Sequence, residues 1–598
     1  MIADTLPKLL KERVKELGDN IALREKALGI WRPITWSEYF YQVEIFCLGL
    51  KSLGLEREDR VSILADNCPQ WLYADLAIQS VGGVSVGVYP TNTAVRVQYI
   101  LDNSESKYVI VKDQEQLDKV LEIKDELPFL RQVIVIDMKG VGKYVDPIIT
   151  SYSAIQEIGE GLREKDPTLF GEMISETKAE DIAVMVYTSG TTGPPKGSML
   201  SHKNITAVVD SFFKVVPLYQ TDSLVSVLPL CHVAERLFSL FMPMKAGCTI
   251  NFAESVSTLQ PDMIEISPTI FLTVPRILQK IHSTITIKMQ DAGHLKRWVY
   301  NLCLPIGGKI AELEMGGQKV GLLDKTLYCM AYYLVFRHLR NRIGLLQVRE
   351  CFYASAPLSV DIIKFFYSIG VRIKGAYGLT ESTGVATMER GKRLRVGSAG
   401  KPIPGIQLDL ASDGEIMVKG DMVFEGYHND KASTARVKKN GWLYTGDVGE
   451  FDEEENLYIV DRKKEIIITA SGKNISPSEI ENSLKFSPYV NEAIVIGEGK
   501  KYLTVLIQID YENVANWALK RDIPFTNYKS LARSAEVRTL IDREVQSVNN
   551  NFSRAESIKN FTILEKELDQ DDDELTATMK VRREMIEKRY KELIDKMY

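Results

Sequence analysis

The chain has no CxxC pair. Its seven cysteines, Cys47, Cys68, Cys231, Cys248, Cys303, Cys329 and Cys351, are scattered. Neither a zinc site nor a disulfide framework is indicated, and an odd count of mostly apolar-flanked thiols fits a reducing cytoplasm. No apolar run approaches the roughly 20 residues that span a bilayer. The opening residues, Met1-Ile2-Ala3-Asp4-Thr5-Leu6-Pro7-Lys8, lack a basic segment followed by an apolar core, so no signal peptide is expected. Excess positive charge is missing too. The net charge is -6, and nothing global points to nucleic acid. Neither a short internal repeat nor a low-complexity tract is present.

At 598 residues, 45% hydrophobic and 26% charged, the composition is that of a soluble globular protein of more than one domain. Leu9, Leu10, Val14 and Leu17 recur at helical spacing. Thr35 and Glu38 form a capping-box pattern for a helix through Leu50. Residues 61–64, 84–89, 108–111 and 133–136 are short β-branched runs, and residues 68–79 read as helix. Strands alternating with helices imply an α/β fold with a largely parallel sheet covered on both faces.

The most informative stretch is Tyr187-Thr188-Ser189-Gly190-Thr191-Thr192-Gly193-Pro194-Pro195-Lys196-Gly197. An apolar run, residues 182–186, precedes it as a strand. Ser201-His202-Lys203-Asn204 follows and opens a helical pattern, so the expected order is strand, loop, helix. Glycines let backbone N–H groups converge on an anion, hydroxyls add donors and a lysine adds a compact charge. It is not a Walker loop, because Pro195 precedes Lys196 and Gly197 follows it. A surface loop rich in turn formers is the bland alternative. The stretch closely resembles the phosphate-loop signature of the AMP-forming acyl- and aryl-CoA synthetases, the adenylate-forming superfamily.

Further motifs carry the same resemblance. Residues 352–358 read as a strand ending in Ser355, Ala356 and Pro357, small enough for a flat base to approach the backbone. In Ala376-Tyr377-Gly378-Leu379-Thr380-Glu381, Tyr377 offers a planar face, Thr380 a phosphate contact and Glu381 a hard oxygen ligand for Mg²⁺. Alone, this is equally an ordinary turn with an exposed glutamate. It matches the family's YGxTE motif residue for residue. The resemblance assigns Asp447, in Tyr444-Thr445-Gly446-Asp447, and Arg462 to the ribose. It makes Lys464 the pivot of an interdomain hinge and sets Gly472 beside the pantetheine tunnel. Lys580, by itself one surface lysine among many, resembles the family's C-terminal catalytic lysine. Where the family pattern often has glycine between Thr and Lys, Ala577-Thr578-Met579 stands here.

Residues 224–230 read as a strand ending at Cys231-His232-Val233-Ala234-Glu235-Arg236. A Cys231–His232 thiol nucleophile is rejected, since sequence neighbours seldom face each other. A structural histidine is the bland reading of His232. The segment resembles the family's acyl-pocket lining, especially in long-chain enzymes, which raises His232 to a pocket residue. Residues 326–336 are apolar between Lys325 and Arg337. A core helix is the default, and contact with a membrane surface is the sharper alternative.

Taken together, the resemblance to the adenylate-forming superfamily covers about residues 10 to 590, and the Leu228–Arg236 segment with the long middle region points within it to the medium- to long-chain fatty acyl-CoA synthetases. It implies a large multi-sheet N-terminal adenylation domain, residues 1–461, and a small mobile α+β C-terminal domain, residues 462–598, with the hinge at 461–464. The implied reaction uses ATP, Mg²⁺ and CoA. A fatty acid becomes acyl-AMP with pyrophosphate release, and then acyl-CoA. Thr188, Lys196, His232, Glu381 and Lys580 are the expected catalytic set. The nucleotide and CoA contacts expected are Thr188, Ser189, Gly190, Thr191, Thr192, Gly193, Lys196, Ser355, Ala356, Pro357, Ala376, Tyr377, Gly378, Thr380, Glu381, Asp447, Arg462, Lys464, Gly472 and Lys580. Two rivals stay open: an acyl-AMP ligase loading a carrier protein, and a non-catalytic fatty-acid binding protein at the membrane. A cytoplasmic location is expected. Peripheral contact with the inner face of a membrane and an oligomeric state are left open.

Overall fold

A computed structural model describes the chain apart from residues 1–2, 189–193, 256, 392–394, 396, 571 and 577–578. Local signals place the first elements. Thr35 caps the helix Trp36–Ser52: its hydroxyl accepts the Glu38 N–H, and the Glu38 carboxylate accepts the Thr35 N–H at 2.7 Å. The β-branched runs become the parallel strands Arg60–Leu64, Val84–Val88, Tyr108–Val111 and Gln132–Val135 of an eight-stranded sheet. Side chains alternate between its faces. Ile63, Ile110, Ile134 and Val186 enter one core, while Leu64, Val109, Val133 and Met185 enter a second core on the other side.

The strand–loop–helix order expected at residues 182–215 is corrected. A further strand, Lys196–Ser201, runs antiparallel to Ile182–Thr188 before the helix His202–Val215, and sets Lys196 opposite Thr188. Lys, Gly and Ser favour strands poorly, but sheet pairing overrides that preference here. Gly197 permits the close packing, since a Cβ there would lie 2.8 Å from Met185 Sδ. The phosphate-loop stretch therefore joins two strands of a hairpin and does not lead straight into a helix.

Two other strand expectations are too long. The run at 224–230 gives only Ser223–Ser226. Pro229 has no N–H for a ladder, and its carbonyl instead accepts the His232 N–H at 2.8 Å, turning the chain. The run at 352–358 stops at Tyr353, within the strand Glu350–Tyr353. That strand lies between the parallel strands Ile270–Thr273 and Ile373–Tyr377 in a second, ten-stranded sheet. The sheet continues through antiparallel strands that include Trp442–Phe451 and Leu457–Arg462.

Residues 326–336 are helical, within Leu322–Ala331 and a wider turn over Tyr332–Phe336, but they do not form a core helix. Ala331 and Phe336 are buried, whereas Tyr333 is 64% and Leu334 66% exposed. The helix rests on the flank of the helix His294–Met315, so only one narrow stripe finds cover.

The C-terminal domain has its own cores around the strands Val490–Ile496, Leu503–Ile509 and Ile558–Ile563. Pro477, at the first turn of the helix Pro477–Leu484, suits a position whose N–H has no helical partner. Among the described residues, no helix is long and apolar enough to cross a membrane.

Candidate functional site

The strands Glu350–Tyr353 and Ile373–Tyr377 are parallel neighbours, and the site lies beyond their carboxyl ends, where open α/β sheets receive ligands. After the first strand, Ser355, Ala356 and Pro357 form an exposed loop. Ser355 holds φ at 78°, a left-handed conformation that costs a non-glycine residue about 1–2 kcal/mol. After the second strand, a Cβ at Gly378 would fall 2.3 Å from the Gly384 carbonyl oxygen, so only glycine fits there. Ala376 and Tyr377 close the strand, and Thr380 and Glu381 sit in the short turn Thr380–Ser382.

Tyr377 donates its hydroxyl to Asp447 Oδ2 at 2.7 Å. The hairpin register pairs Asp447 with Arg462, and Arg462 Nε lies 3.4 Å from Asp447 Oδ1. Burial raises the Asp447 carboxyl above its ordinary range, against the pull of Arg462, the Tyr377 hydroxyl and Lys580. The result is one buried carboxylate between a cation and an aromatic hydroxyl, suited to a polar ligand with paired hydroxyls.

A second cluster surrounds Lys196. Its Nζ donates to Ser433 Oγ at 2.6 Å, lies 3.9 Å from Asp430 Oδ2 and sits 5.1 Å from the centre of the Tyr427 ring. Tyr427 in turn donates its hydroxyl to Glu381 Oε1 at 2.6 Å. Lys196 and Glu381, distant in sequence, are thus joined through one tyrosine. Among the described residues no group of three or more His, Cys, Asp or Glu could hold a metal ion. Such a donor set fits Mg²⁺ held by one carboxylate with phosphate and water oxygens, and not a cation caged by protein.

Lys580 reaches this wall from the other domain. Its Nζ donates to the Ser355 carbonyl at 3.3 Å. Thr576 holds the lysine in a hydrogen-bonded pair: the Thr576 N–H donates to the Lys580 carbonyl at 2.8 Å, and Thr576 Oγ1 accepts the Lys580 N–H at 3.1 Å. Met579 takes φ 60°, where the family pattern often supplies glycine. The Lys580 side chain keeps exposed surface, yet protein flanks it on most sides. That loss of bulk water, then repulsion from Arg462, pulls the ammonium below the ordinary lysine range, while Asp447 and Glu465 oppose the shift. Asp573 pairs with Arg582 at 2.7 Å and with Arg96 of the large domain.

His232 is not at a strand end. It caps the short helix Val233–Arg236, its Nδ1 accepting the Ala234 N–H at 3.1 Å. Burial, with the Lys580 charge second, lowers its pKa to about 4, so the imidazole is neutral at pH 7. Cys231 is buried and burial pushes its thiol up, which suits packing and not nucleophilic attack.

Thr188 closes its strand opposite Lys196. Ser189, Gly190, Thr191, Thr192 and Gly193 lie outside the described residues. Lys464 follows Arg462 in the turn closed by the Glu465 N–H on the Arg462 carbonyl at 2.8 Å. Gly472 stands apart from the cluster. Its φ of 77° requires glycine, but a Cβ there would meet nothing within 4 Å, so the turn and not a neighbour restricts it in this arrangement. Sequence reasoning missed Tyr427, Ser433 and Asp573. A Gly426-Tyr427 pair at a strand was the available signal for the first, and the other two carry none.

Comparison with known proteins adds the family. Residues 10–428 match the family model described as AMP-binding enzyme, and residues 464–598 match AMP-binding enzyme C-terminal domain. The chain is 32% identical to the long-chain-fatty-acid–CoA ligase ACSBG2 of Xenopus laevis, covering 99% of this chain and 84% of that one. It is 31% identical to the long-chain-fatty-acid–CoA ligase FadD15 of Mycobacterium bovis, covering 100% and 97%. The fold is similar to that of O-succinylbenzoate coenzyme A synthetase from Bacillus subtilis in complex with ATP and magnesium ion. There the TM-score is 0.66 at 20% identity, covering 96% of this chain and 98% of that one. The chain belongs to the AMP-binding enzyme family, as a large α/β N-terminal domain followed by that family's C-terminal domain.

Proposed function

We propose that the chain activates a medium- to long-chain fatty acid with ATP and transfers it to CoA. The observation that carries this reading is Lys580 Nζ on the Ser355 carbonyl, beside the Tyr377–Asp447–Arg462 cluster. A carboxylate oxygen attacks the α-phosphorus of ATP, the bond to pyrophosphate breaks, and acyl-AMP remains. Lys580, flanked by protein on most sides, bridges carboxylate and α-phosphate oxygens and fixes the line of attack. Asp447 and Arg462 hold the ribose, Tyr377 and the Ser355–Pro357 loop hold the base, and Lys196 with Thr188 and Thr380 holds the phosphates. Glu381 would hold Mg²⁺, which when bound neutralises charge on the leaving pyrophosphate. Neutral His232 lines the acyl side and adds no charge near the reacting carboxylate. In the second step the CoA thiol attacks the acyl carbon, the bond to AMP breaks, and the thiol proton passes to solvent.

The second step needs room that Lys580 occupies. We therefore place the domain boundary after residue 461, with residues 461–464 as the hinge and residues 462–598 moving as the lid. Gly472 would reach the pantetheine path only after that movement. The long-chain assignment follows the names of the relatives. AMP formation with CoA, measured across short, medium, long and aromatic acids, tests it. Turnover with fatty acids is expected, and none with any acid overturns the reading. Acyl transfer to a phosphopantetheinyl carrier in preference to CoA would favour the carrier-loading alternative. Fatty-acid binding without pyrophosphate release would favour the non-catalytic one.

One observation favours membrane contact within this reading. Leu295, Trp298, Leu302, Leu322, Leu323 and Leu334 are each more than half exposed on two packed helices. Residues 294–342 hold eight Lys or Arg against three Asp or Glu, in a chain that is acidic overall. An apolar face inside a basic frame suits an anionic bilayer surface. Flotation with anionic vesicles is expected, and its absence removes the membrane from the account.

A further inference from the structure

The large domain has a separate core spanning residues 263–373, and one side chain from the other domain packs into it: Phe486. The Phe486 ring stacks on the His282 imidazole, centroids 5.1 Å apart and planes 21° apart. His282 also meets Phe365 edge-on at 4.6 Å, so the imidazole is sandwiched between the two domains. His282 stands on the helix Pro275–Gln290, and the same helix offers Arg276, whose guanidinium donates to Asn491 Oδ1 at 3.3 Å. Asp291, just past its end, pairs with Lys520. Beside these contacts a cleft of about 210 Å³ remains, lined by Ile287, Gln290, Tyr489 and Trp517, so the seam is not packed throughout. An aromatic anchor surrounded by sparse polar contacts is the usual form of an energetic hot spot.

Phe486 and Lys580 belong to one domain and are linked through its hydrogen bonds. Arg583, three residues past Lys580, donates to the Val495 carbonyl at 2.6 Å and to the Glu481 carboxylate at 2.6 Å. Glu481 lies on the helix Pro477–Leu484, which leads to Phe486, and it also accepts the Val495 N–H at 2.8 Å. A movement of the domain as one body that withdraws Lys580 from Ser355 would therefore carry Phe486 off His282.

We propose that Phe486 is a positioning residue for the first half-reaction: its insertion against His282 seats the C-terminal domain so that Lys580 meets the nucleotide wall. Phe486 touches no substrate. The inference rests on the two-step reading above and adds the contact that selects between the steps.

The test uses the full chain with Phe486→Ala. Fatty-acid-dependent pyrophosphate exchange reads the first step, and acyl-CoA formation from supplied acyl-AMP reads the second. The first step is expected to fall about tenfold or more, as for loss of an interface anchor, with the second unchanged within about twofold. Phe486→Leu, which keeps apolar volume, should recover most of the loss. His282→Ala opens the same contact from the large domain and should reproduce the split, which covers the case in which Phe486→Ala does not fold. Equal loss of both steps in folded variants, or loss of neither, overturns the proposal. Failure of the wild-type chain in both assays would instead overturn the parent reading.

Discussion

The two domains meet in two unlike places. At the nucleotide wall the contact is polar: Lys580 on the Ser355 carbonyl and Arg96 on Asp573. At the helix Pro275–Gln290 it centres on an aromatic stack, Phe486 on His282, with Arg276–Asn491 and Lys520–Asp291 beside it. Polar contacts in reach of solvent are each weak, and under the proposed mechanism Lys580 exchanges its contact for substrate oxygens during turnover. An aromatic contact away from the site has no such duty and can hold the domain steadily through the first step. In the proposed scheme, delivery of charge and docking of the domain fall to different residues.

Lys580→Ala should break the polar side most severely. Adenylation is expected to drop by about 10²–10³, the scale for losing one preorganised electrostatic group, while acyl-CoA formation from supplied acyl-AMP persists. Equal damage to both steps would take the chemistry away from Lys580. Lys464→Pro acts on the proposed hinge at residues 461–464. Proline fixes φ near −65° and removes an N–H, so the second step should slow by about tenfold, more than the first. A variant impaired only in pyrophosphate release would place the pivot elsewhere.

The aromatic side carries a pH signature. Burial lowers the His282 pKa to about 4, from an ordinary 6.5, and no charged group contributes to the shift. Arg276 lies on its own helix, and Lys485 of the other domain is paired with Glu492 at 2.8 Å. The docked form holds fewer protons than the released form, so docking is complete above pH 6.5 and is penalised as pH falls toward 4. At about pH 5.5 the first step should lose up to about tenfold relative to pH 7.5. His282→Phe, which keeps the stack and cannot titrate, should lose less across that range. Parallel profiles for the two proteins would separate the pH response from this contact. The smallest effect is expected from Arg96→Ala. It removes one half-exposed ion pair and should slow adenylation by no more than about threefold. A loss as deep as that of Lys580→Ala would mean that the Arg96–Asp573 pair, and not the aromatic plug, seats the domain.

Much of this arrangement was legible where local chemistry decides it. Thr35 and Glu38 announced their helix because a capping box is completed within four residues. Asp447 and Arg462 were legible as separate motifs, and the hairpin between them turned two motifs into one ion pair. The strand Lys196–Ser201 was hidden, since its residues favour strands poorly and only pairing with residues 182–188 makes them extended. Ser355 reads as an ordinary small residue, and nothing local announces a left-handed backbone. The Tyr427 link to Glu381 and the Phe486 insertion depend on neighbours far along the chain, so no window of sequence contains them. The hairpin of exposed apolar helices misled in the opposite direction, because apolar content measures the tendency to be covered and not the presence of a cover.

The carboxylate of Asp461 accepts the Ser476 hydroxyl at 2.6 Å and the Ser478 hydroxyl at 3.0 Å, fastening the last strand of the large sheet to the first turn of the next helix. The swivel proposed between residues 461 and 464 would have to snap those bonds and remake them on the return. Asp461 would then serve as a detent, a catch that lends dwell time to one orientation of the proposed lid.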